Sequence, residues 1–380
     1  MGGVAKNSIE QARAISSKGV EVAFLCPTDW TGDALPMPSV ILKVLDPGPK
    51  HGQWLKPVSR ILSSLKIIRN IFTLSRYISK GHYTHVMFGA YFEYLAPIWA
   101  WLLKRHARHG VVFGVMALDP VRDYVVGPLW WHRWSTAEAY SIFREVFVHK
   151  EISIDTFRSL SELRTTVVPH GTYIYPESFT SRDTMRCQLG LPVDAKVFIS
   201  FGHLRDNKNL GLIFEAMIEV PEAYLLVVGT EAAPGQKTSK YYREASVKAG
   251  VDDRVRWVIR YIDDDEVHSI FTAADFALMT YSKSFRSASG IVHITAPMRI
   301  PVLVSCGDAP LGEVVEEFRL GIQIPPDSVP DITAGMRALL NNTFEGDWDR
   351  FAREYTYDKN ADIVISRLFE KRTVRKLGIL

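Results

Sequence analysis

A glycine and two cations lie close together in the segment FGHLRDNKN at 201–209. The apolar run before it, Val197–Phe201, predicts a buried strand, and the run after it predicts a helix. Gly202 allows close backbone approach, and a helix N-terminus offers unpaired N–H groups. Arg205 and Lys208 add charges that suit a diphosphate. The segment therefore predicts a phosphate site, while a solvated turn with surface charges is the alternative.

Two further segments of the same half place polar residues at predicted strand ends. In SASG at 287–290, the residues Ser287, Ser289 and Gly290 suit a second phosphate contact, with an ordinary helix N-cap as the alternative. In GDAPLGE at 307–313, Glu313 lies in the first turn of a predicted helix. Its carboxylate could accept hydrogen bonds from sugar or ribose hydroxyls, or it could simply complement the helix dipole.

Parallel sheets must position these segments, because strand-like and helical runs alternate along the chain. In the first half the predicted strands are Val20–Leu25, His85–Phe88, Val111–Val115, Val146–His149 and Thr166–Val168. In the second half they are Val197–Phe201, Tyr224–Gly229, Val255–Ile259, Phe276–Thr280 and Val302–Ser305. The fold class is therefore α/β, with two Rossmann-like doubly wound parallel-sheet domains and an active site expected in the cleft between them.

The predicted domains are 1–172 and 173–360, and a helix at 361–380 is expected to pack back on the first domain. The break falls at Pro169–Pro176, which is rich in Pro, Gly and Tyr. Gly2 and Gly3 form a predicted glycine loop, followed by a helix over Ser8–Lys18. The strand that normally precedes such a loop is missing, so we expect a truncated chain or a misassigned start.

The composition argues against several classes of function. A formal net charge of +3 is too small to indicate nucleic-acid binding. The three cysteines are far apart and form no CxxC pair, so we expect no metal site and no disulfide framework. Asp263–Asp265 more plausibly begin a helix than bind a metal. The sequence shows no signal peptide and no apolar run that could span a bilayer, and a cytoplasmic location is expected.

The second half resembles the nucleotide-sugar domain of family-4-like GT-B glycosyltransferases. The resemblance runs through FISFGHLRDNKNLGLIFEAM, YLLVVGTE, RVRWVIRYIDDDEVHSIFTAADFALMTY, SASGIVHITAPMRIPVLVS and GEVVEEFRLGIQIPP. VVPHGTY resembles the interdomain linker of the family, and the segment that begins at Gly2–Gly3 resembles its opening glycine loop. These motifs occur in the family's order and spacing over Val197–Asp327.

The resemblance implies roles for the residues already singled out. Arg205 and Lys208, beside Gly202, would hold the diphosphate of a nucleoside-diphosphate sugar, which is a co-substrate and not a cofactor. Ser287, Ser289 and Gly290 would add contacts to phosphate, and Glu313 would lie near the ribose or the sugar. The backbone of Tyr261 and Ile262 would contact the nucleotide base.

The sequence also departs from the family at catalytic positions. Arg286 and Ile294 stand where many members carry two glutamates, and a Ser-Gly subset of the family shares this feature. Leu118 replaces a usual histidine, and Arg299 replaces a usual glycine. Asp119 is then the best remaining candidate for catalysis, because a carboxylate at a strand end could deprotonate an acceptor hydroxyl. An ordinary turn aspartate before Pro120 is the alternative.

A basic, apolar segment follows the first predicted strand. No Asp or Glu occurs from Gly48 to Phe92, whereas cations and apolar residues recur at helical spacing. Tryptophans occur nearby, and tryptophan together with basic residues is typical of membrane interfaces. The segment predicts contact with an anionic membrane surface, unless its apolar stripe packs on the domain core. The residues concerned are Lys50, Lys56, Arg60, Lys66, Arg69, Arg76 and Lys80, with Trp54, Trp99, Trp101, Trp130, Trp131 and Trp134.

Three functions remain open from the sequence. The first is a metal-independent glycosyltransferase, peripheral on the inner face of the membrane, that uses a nucleotide-sugar and a glycan or polyprenyl-linked acceptor. The second is an inactive nucleotide-sugar-binding partner of another transferase, which the missing histidine and glutamates favour. The third is another enzyme on the same architecture, such as a nucleotide-sugar epimerase.

Overall fold

The computed structural model divides into two units, which we describe separately. Unit 1 comprises residues 3–47, 57–171 and 357–370, and unit 2 comprises residues 172–356. The structure describes residues 3–32, 34–47, 57–89, 91, 93–118, 125, 127–152, 154–161, 163–177, 180–231 and 235–370, with backbone alone for 57–60. Across these ranges, no helix combines the length and apolar character needed to cross a membrane.

Unit 1 contains two parallel sheets with helices between their strands. A two-stranded sheet pairs β1 (Ala23–Pro27) with β2 (Val40–Leu45). A four-stranded sheet has the order β3 (His85–Phe88), β4 (Val112–Met116), β5 (Glu145–Val148) and β6 (Arg164–Val167). The helices are α1 (Gly3–Ser17), α2 (Pro57–Gly81), α3 (Ala96–Arg108) and α4 (Leu129–Tyr140). Strand β5 is wholly buried, and burial on both faces explains its mainly apolar sequence.

Helix α1 already includes Gly3, where the sequence predicted a loop, and it starts before the predicted Ser8. The prediction began late because Asn7 is polar, yet its side chain is buried, as is that of Gln11. The hydroxyl of Tyr357 donates to Oδ1 of Asn7 at 3.0 Å. Nε2 of Gln11 donates to Oδ1 of Asn360 at 2.8 Å. Gly2 lies outside the described residues.

Unit 2 is built on one six-stranded parallel sheet. Its strands are β7 (Lys196–Phe201), β8 (Ala223–Gly229), β9 (Val255–Ile259), β10 (Phe276–Thr280), β11 (Val302–Ser305) and β12 (Gly321–Gln323). Its helices are α5 (Arg182–Gln188), α6 (Leu210–Ile218), α7 (Ser239–Lys248), α8 (Asp264–Thr272), α9 (Val292–Thr295), α10 (Pro310–Glu317), α11 (Val329–Asn341) and α12 (Trp348–Glu354). The spatial order is β12-β11-β10-β7-β8-β9, which is the order of a doubly wound sheet.

This strand order creates one topological switch point. From β7 the chain runs outward through β8 and β9, and it then returns to place β10 on the other side of β7. The loops that leave β7 and β10 therefore diverge to opposite sides and leave a crevice at the carboxyl end of the sheet. Ligands of doubly wound sheets bind at such a crevice.

The last described helix, α13 (Tyr357–Phe369), belongs to unit 1. It packs on α1 and on the four-stranded sheet, where Val364 and Leu368 join a core cluster with Met116 and Phe147. Gly114 in β4 makes this close packing possible, since a Cβ there would lie 2.8 Å from Cδ2 of Leu368. The helix predicted at 361–380 thus begins earlier in the structure, and residues 371–380 lie outside the described part.

Candidate anion site at the switch point of unit 2

The two segments predicted to bind phosphate meet at the switch point. The first loop leaves β7 and the second leaves β10, and these strands are neighbours in the sheet. The N–H of Ser282 donates to the carbonyl of Asn207 at 2.8 Å. The hydroxyl of Thr280 donates to the carbonyl of Lys208 at 3.3 Å. The fold therefore joins segments that are far apart in the sequence.

Glycine at position 202 allows the first loop to lie against the end of β8. Gly202 has φ +100°, a conformation that side-chain-bearing residues rarely adopt. Its N–H donates to the carbonyl of Val228 at 2.9 Å. A Cβ on Gly229 would lie 1.9 Å from the carbonyl oxygen of Gly202, so glycine is needed on both sides. The backbone at Gly202 is thus held close to the sheet edge.

The side chain of Lys208 turns back beneath this glycine loop. Its ammonium donates to the carbonyl oxygen of Phe201, and a Cβ on Gly202 would lie 3.4 Å from Nζ. Burial of the ammonium, and then the neighbouring positive charge of Arg205, lower the pKa of Lys208 to about 7. Within the described residues, no acidic side chain forms an ion pair with Lys208. An anion placed here would restore the charge of the lysine.

The second loop presents a buried pair of hydroxyls. The Tyr281 hydroxyl lies 3.0 Å from Oγ of Ser289, and the Tyr281 ring stacks on Phe285 at 3.8 Å. Burial raises the pKa of Tyr281 to about 12, while the Ser289 hydroxyl and the positive charge of Arg205 act in the opposite direction. Arg205 is therefore close enough to act on both loops. Tyr281 was not predicted, and its only sequence signal is an aromatic hydroxyl directly after a central strand.

Ser289 does not act as the N-cap of the helix that follows this loop. Its φ of +52° is left-handed, so a helix cannot start there, and α9 begins at Val292. A Cβ on Gly290 would lie 3.3 Å from the ring of Tyr173, which explains the small residue at this position. Ser287 is half-buried on the same loop. The structure thus brings this loop to the switch point, but it does so as irregular backbone instead of a long helix.

The remaining predicted site residues of unit 2 occupy other loops at the carboxyl end of the sheet. Glu313 lies in the first turn of α10, after β11. Burial raises the pKa of Tyr355 to about 12, and Glu313 is one of three nearby carboxylates whose charges add to this effect. Tyr261 is exposed and Ile262 is buried. Both follow β9, which is two strands away from β7, or about 10 Å at ordinary strand spacing. Their assigned roles at the ribose and the base stay predictions.

The positions that depart from the resembled family have clear structural settings. Arg286 is exposed and Ile294 is buried, and neither residue has a carboxylate. Arg299 has φ +53°, which explains why glycine suits this position. Asp119 lies outside the described residues, and its catalytic role stays a prediction. No metal-binding group of three or more His, Cys, Asp or Glu side chains occurs in the described part of the chain.

The sequence of the second unit is similar to a known family. Residues 181–356 match the family "Glycosyl transferases group 1". The D-inositol 3-phosphate glycosyltransferase of Corynebacterium efficiens is 29% identical over 168 residues, which are 39% of this chain and 38% of the relative. The enzyme of the same name from Mycolicibacterium smegmatis is 25% identical over 169 residues, or 44% and 34% of the two chains. The matched segment thus spans just over a third of each relative.

Solved structures resemble nearly the whole chain in fold. Sucrose-phosphate synthase from Thermosynechococcus elongatus has a TM-score of 0.64 at 18% identity, over 97% of this chain and 90% of that one. An α,α-trehalose-phosphate synthase from Burkholderia xenovorans has a TM-score of 0.64 at 14% identity, over 97% and 96%. Anabaena Alr3699/HepE in complex with UDP-glucose has 0.59 at 13% identity, over 97% and 93%. The chain therefore has the GT-B fold, and its residues 181–356 are similar to the glycosyl transferases group 1 family.

Proposed function

We propose that this protein transfers a sugar from a nucleoside-diphosphate sugar to a hydroxyl of an acceptor. The observation that carries the proposal is the partly buried ammonium of Lys208 at the switch point, which has no acidic partner among the described residues. An unpaired buried cation is costly unless an anion arrives to pair with it. The diphosphate of the donor is an anion of the right kind, and the similar Anabaena protein was solved with UDP-glucose.

The proposed chemistry uses these groups to stabilise the leaving nucleotide. The acceptor oxygen attacks the anomeric carbon, and the bond from that carbon to the phosphate oxygen breaks. Negative charge then grows on the diphosphate beside Lys208 and Arg205. The loop N–H groups and the Ser289 hydroxyl contribute further donors. Preorganised donors and cations of this kind can stabilise a transition state without help from a metal, so we propose a metal-independent reaction.

We propose that the acceptor is a lipid-linked or polysaccharide precursor, and that the protein works at the cytoplasmic side of a membrane. Asp119 is the proposed base that takes the proton of the acceptor hydroxyl. The names of similar proteins contain inositol 3-phosphate, sucrose phosphate and trehalose phosphate, which supports a phosphorylated acceptor. Support for the membrane comes from the exposed apolar and basic side chains of unit 1.

A second candidate is a nucleotide-sugar-binding subunit without activity of its own. The specific observation in its favour is the setting of Arg286 and Ile294, which replace the two glutamates of many similar enzymes. Ile294 is buried and its side chain is apolar, so this position supplies no polar group to a sugar. The two candidates share the same donor site and differ only in turnover.

Transfer assays on membrane extracts, with Lys208→Ala and a matched control, test the proposal. Lys196→Ala is the control, because Lys196 is an exposed lysine at the start of the same strand that Lys208 follows. We expect Lys208→Ala to lower sugar transfer at least about tenfold, equivalent to roughly 1.4 kcal/mol of transition-state stabilisation. Near-normal turnover of the folded variant would refute the role of Lys208. Nucleotide binding without turnover in the wild type would favour the inactive subunit.

A further inference from the structure

Three helices of unit 1 lie side by side on one face of its four-stranded sheet. Oγ of Ser75 in α2 lies 2.7 Å from Nε2 of His106 in α3. Lys104 lies on another side of α3, and its ammonium pairs with Glu138 of α4. Apolar residues of all three helices, such as Ile71, join one core cluster. Helix α3 therefore lies between α2 and α4, and each helix has an inner face in the core and an outer face in solvent.

The outer face of this layer is unusually apolar. In α2, Ile71 and Ile78 are buried, whereas Ile61 is 62% exposed and Leu65 is 56% exposed. The apolar stripe noticed in the sequence thus does not pack entirely on the core, because α2 has apolar residues on both faces. Helices α3 and α4 continue the pattern. The exposed apolar residues of the three outer faces are Ile61, Leu62, Leu65, Phe72, Ile98, Trp101, Leu129, Trp130 and Trp134.

Cations are interleaved with these apolar residues. At 100° per residue, Arg76 and Lys80 of α2 project on the same side as Leu65 and Phe72, and all four are exposed. The sequences of α2, α3 and α4 contain a single acidic residue, Glu138, and it is engaged by Lys104 and Arg158. The exposed cations of the three outer faces are Arg69, Arg76, Lys80, Arg105, Arg108 and Arg133. Of these, Arg69 pairs with Asp46 at 3.4 Å.

The tryptophans divide between core and surface. Trp99 is buried, whereas Trp101, Trp130 and Trp134 are exposed. The rings of Trp130 and Trp134 stack at 6.5 Å on the first turns of α4. Exposed tryptophan beside arginine and lysine is typical of residues that lie at the level of lipid headgroups. Trp54 lies outside the described residues.

We infer that this outer surface of α2, α3 and α4, which we call the helical face, docks on an anionic lipid bilayer. Its apolar side chains would enter the headgroup region, and its cations would pair with lipid phosphates. A bilayer fits better than a protein partner, because the cations are spread among the apolar side chains over three helices and almost no acidic group interrupts them. The inference rests on the proposed function, in which a lipid-linked precursor is one of the two acceptors, but docking needs no donor and no turnover.

Vesicle sedimentation with the full chain, without any nucleotide-sugar, tests the inference. The probes are vesicles of phosphatidylcholine alone and of phosphatidylcholine mixed with phosphatidylglycerol. We expect binding to the mixed vesicles, little binding to phosphatidylcholine alone, and weaker binding at high salt. We expect Arg76→Glu with Lys80→Glu, and separately Leu65→Ser with Phe72→Ser, to lower the partition coefficient at least about tenfold each.

Two surface changes on unit 2 serve as matched controls. Ile218→Ser removes an apolar side chain that is 56% exposed, like Leu65. Lys240→Glu reverses the charge at a lysine whose side chain is 86% exposed. Both should leave vesicle binding unchanged, and circular dichroism should show that every variant is folded, because all these positions are at the surface.

Three outcomes would overturn the inference. The first is no binding to anionic vesicles, and the second is equal binding by all variants. The third is self-association of the wild type in sedimentation velocity, without vesicle binding, that the double change Leu65→Ser with Phe72→Ser abolishes. That result would make the helical face an interface between copies of the chain. Loss of vesicle binding with normal transfer to a soluble acceptor would separate failure of docking from failure of the proposed reaction.

Discussion

Replacing Lys208 by methionine should stabilise unit 2 in the absence of ligand and weaken its anion site. The folded-state pKa of Lys208 is about 7, against an ordinary value of 10.5. At pH 7 the buried ammonium therefore costs the folded state on the order of 4 kcal/mol. Methionine has a similar length but no charge. After subtraction of about 1 kcal/mol for the lost hydrogen bond to Phe201, we expect a net gain of about 3 kcal/mol.

The pH dependence identifies the cause of this gain. Between pH 7 and 10.5 the unfolded chain keeps a proton that folded Lys208 has released, so stability rises with pH in that window. By pH 9 the cost of Lys208 has fallen to about 2 kcal/mol, and the advantage of the methionine variant shrinks to about 1 kcal/mol. Below pH 7 both states hold the proton, and the contribution no longer changes.

Urea unfolding at pH 7 and pH 9, followed by hydrogen-exchange mass spectrometry of peptides from β7 and β8, measures this difference within unit 2. Lys196→Met is the control, because Lys196 is exposed and its replacement should have little effect at either pH. An advantage of Lys208→Met that is absent, or that is the same at both pH values, would show that the ammonium is not buried as described.

Two further predictions concern other strained or buried groups. Burial, and then the charge of His149, lower the pKa of His170 to about 3, so the unfolded chain binds a proton that the folded chain excludes as the pH falls below about 6.5. The free energy of unfolding of unit 1 should therefore fall by about 2 kcal/mol between pH 7 and pH 5 through this group. His170→Gln should make the urea midpoint depend less on pH. An unchanged pH dependence in this variant would contradict the prediction. Arg299→Gly should raise stability by about 0.5–1 kcal/mol because it relieves a left-handed φ, and the exposed ion pair with Asp349 that it removes contributes little. Calorimetry should show no comparable gain for Arg319→Ala, and a lower melting temperature for Arg299→Gly would refute the strain argument.

The sequence predicted best the strands that are short apolar runs between polar loops. Strands β3, β9, β10 and β11 begin and end at the predicted residues, although β3 and β9 lie at the edges of their sheets. Strand β2 was not predicted, since it is only half-buried and contains Lys43. Strand β12 was not predicted either, because three residues are too few for a pattern.

The candidate site was predicted in its residues more than in its geometry. Gly202 and Lys208 were singled out because a glycine and cations that follow a strand suit a phosphate, and this role stays a prediction. The partnership of Tyr281 with Ser289 depends on β10 lying beside β7, and strand order is a tertiary property that no local pattern encodes. The left-handed backbone of Ser289 was equally invisible, because serine is also a good N-cap and so predicted a helix start.

Isothermal titration calorimetry in buffers of different ionisation enthalpy tests the central claim most directly. It measures protons taken up when UDP, GDP, ADP or TDP binds at pH 7.5. A diphosphate beside Lys208 should raise the pKa of the lysine from about 7. On binding, the wild type should therefore take up about three quarters of a proton more than Lys208→Met takes up on binding the same nucleotide. Equal proton uptake by the two proteins, or no binding of any of the four nucleotides, would contradict the claim that Lys208 pairs with a donor diphosphate.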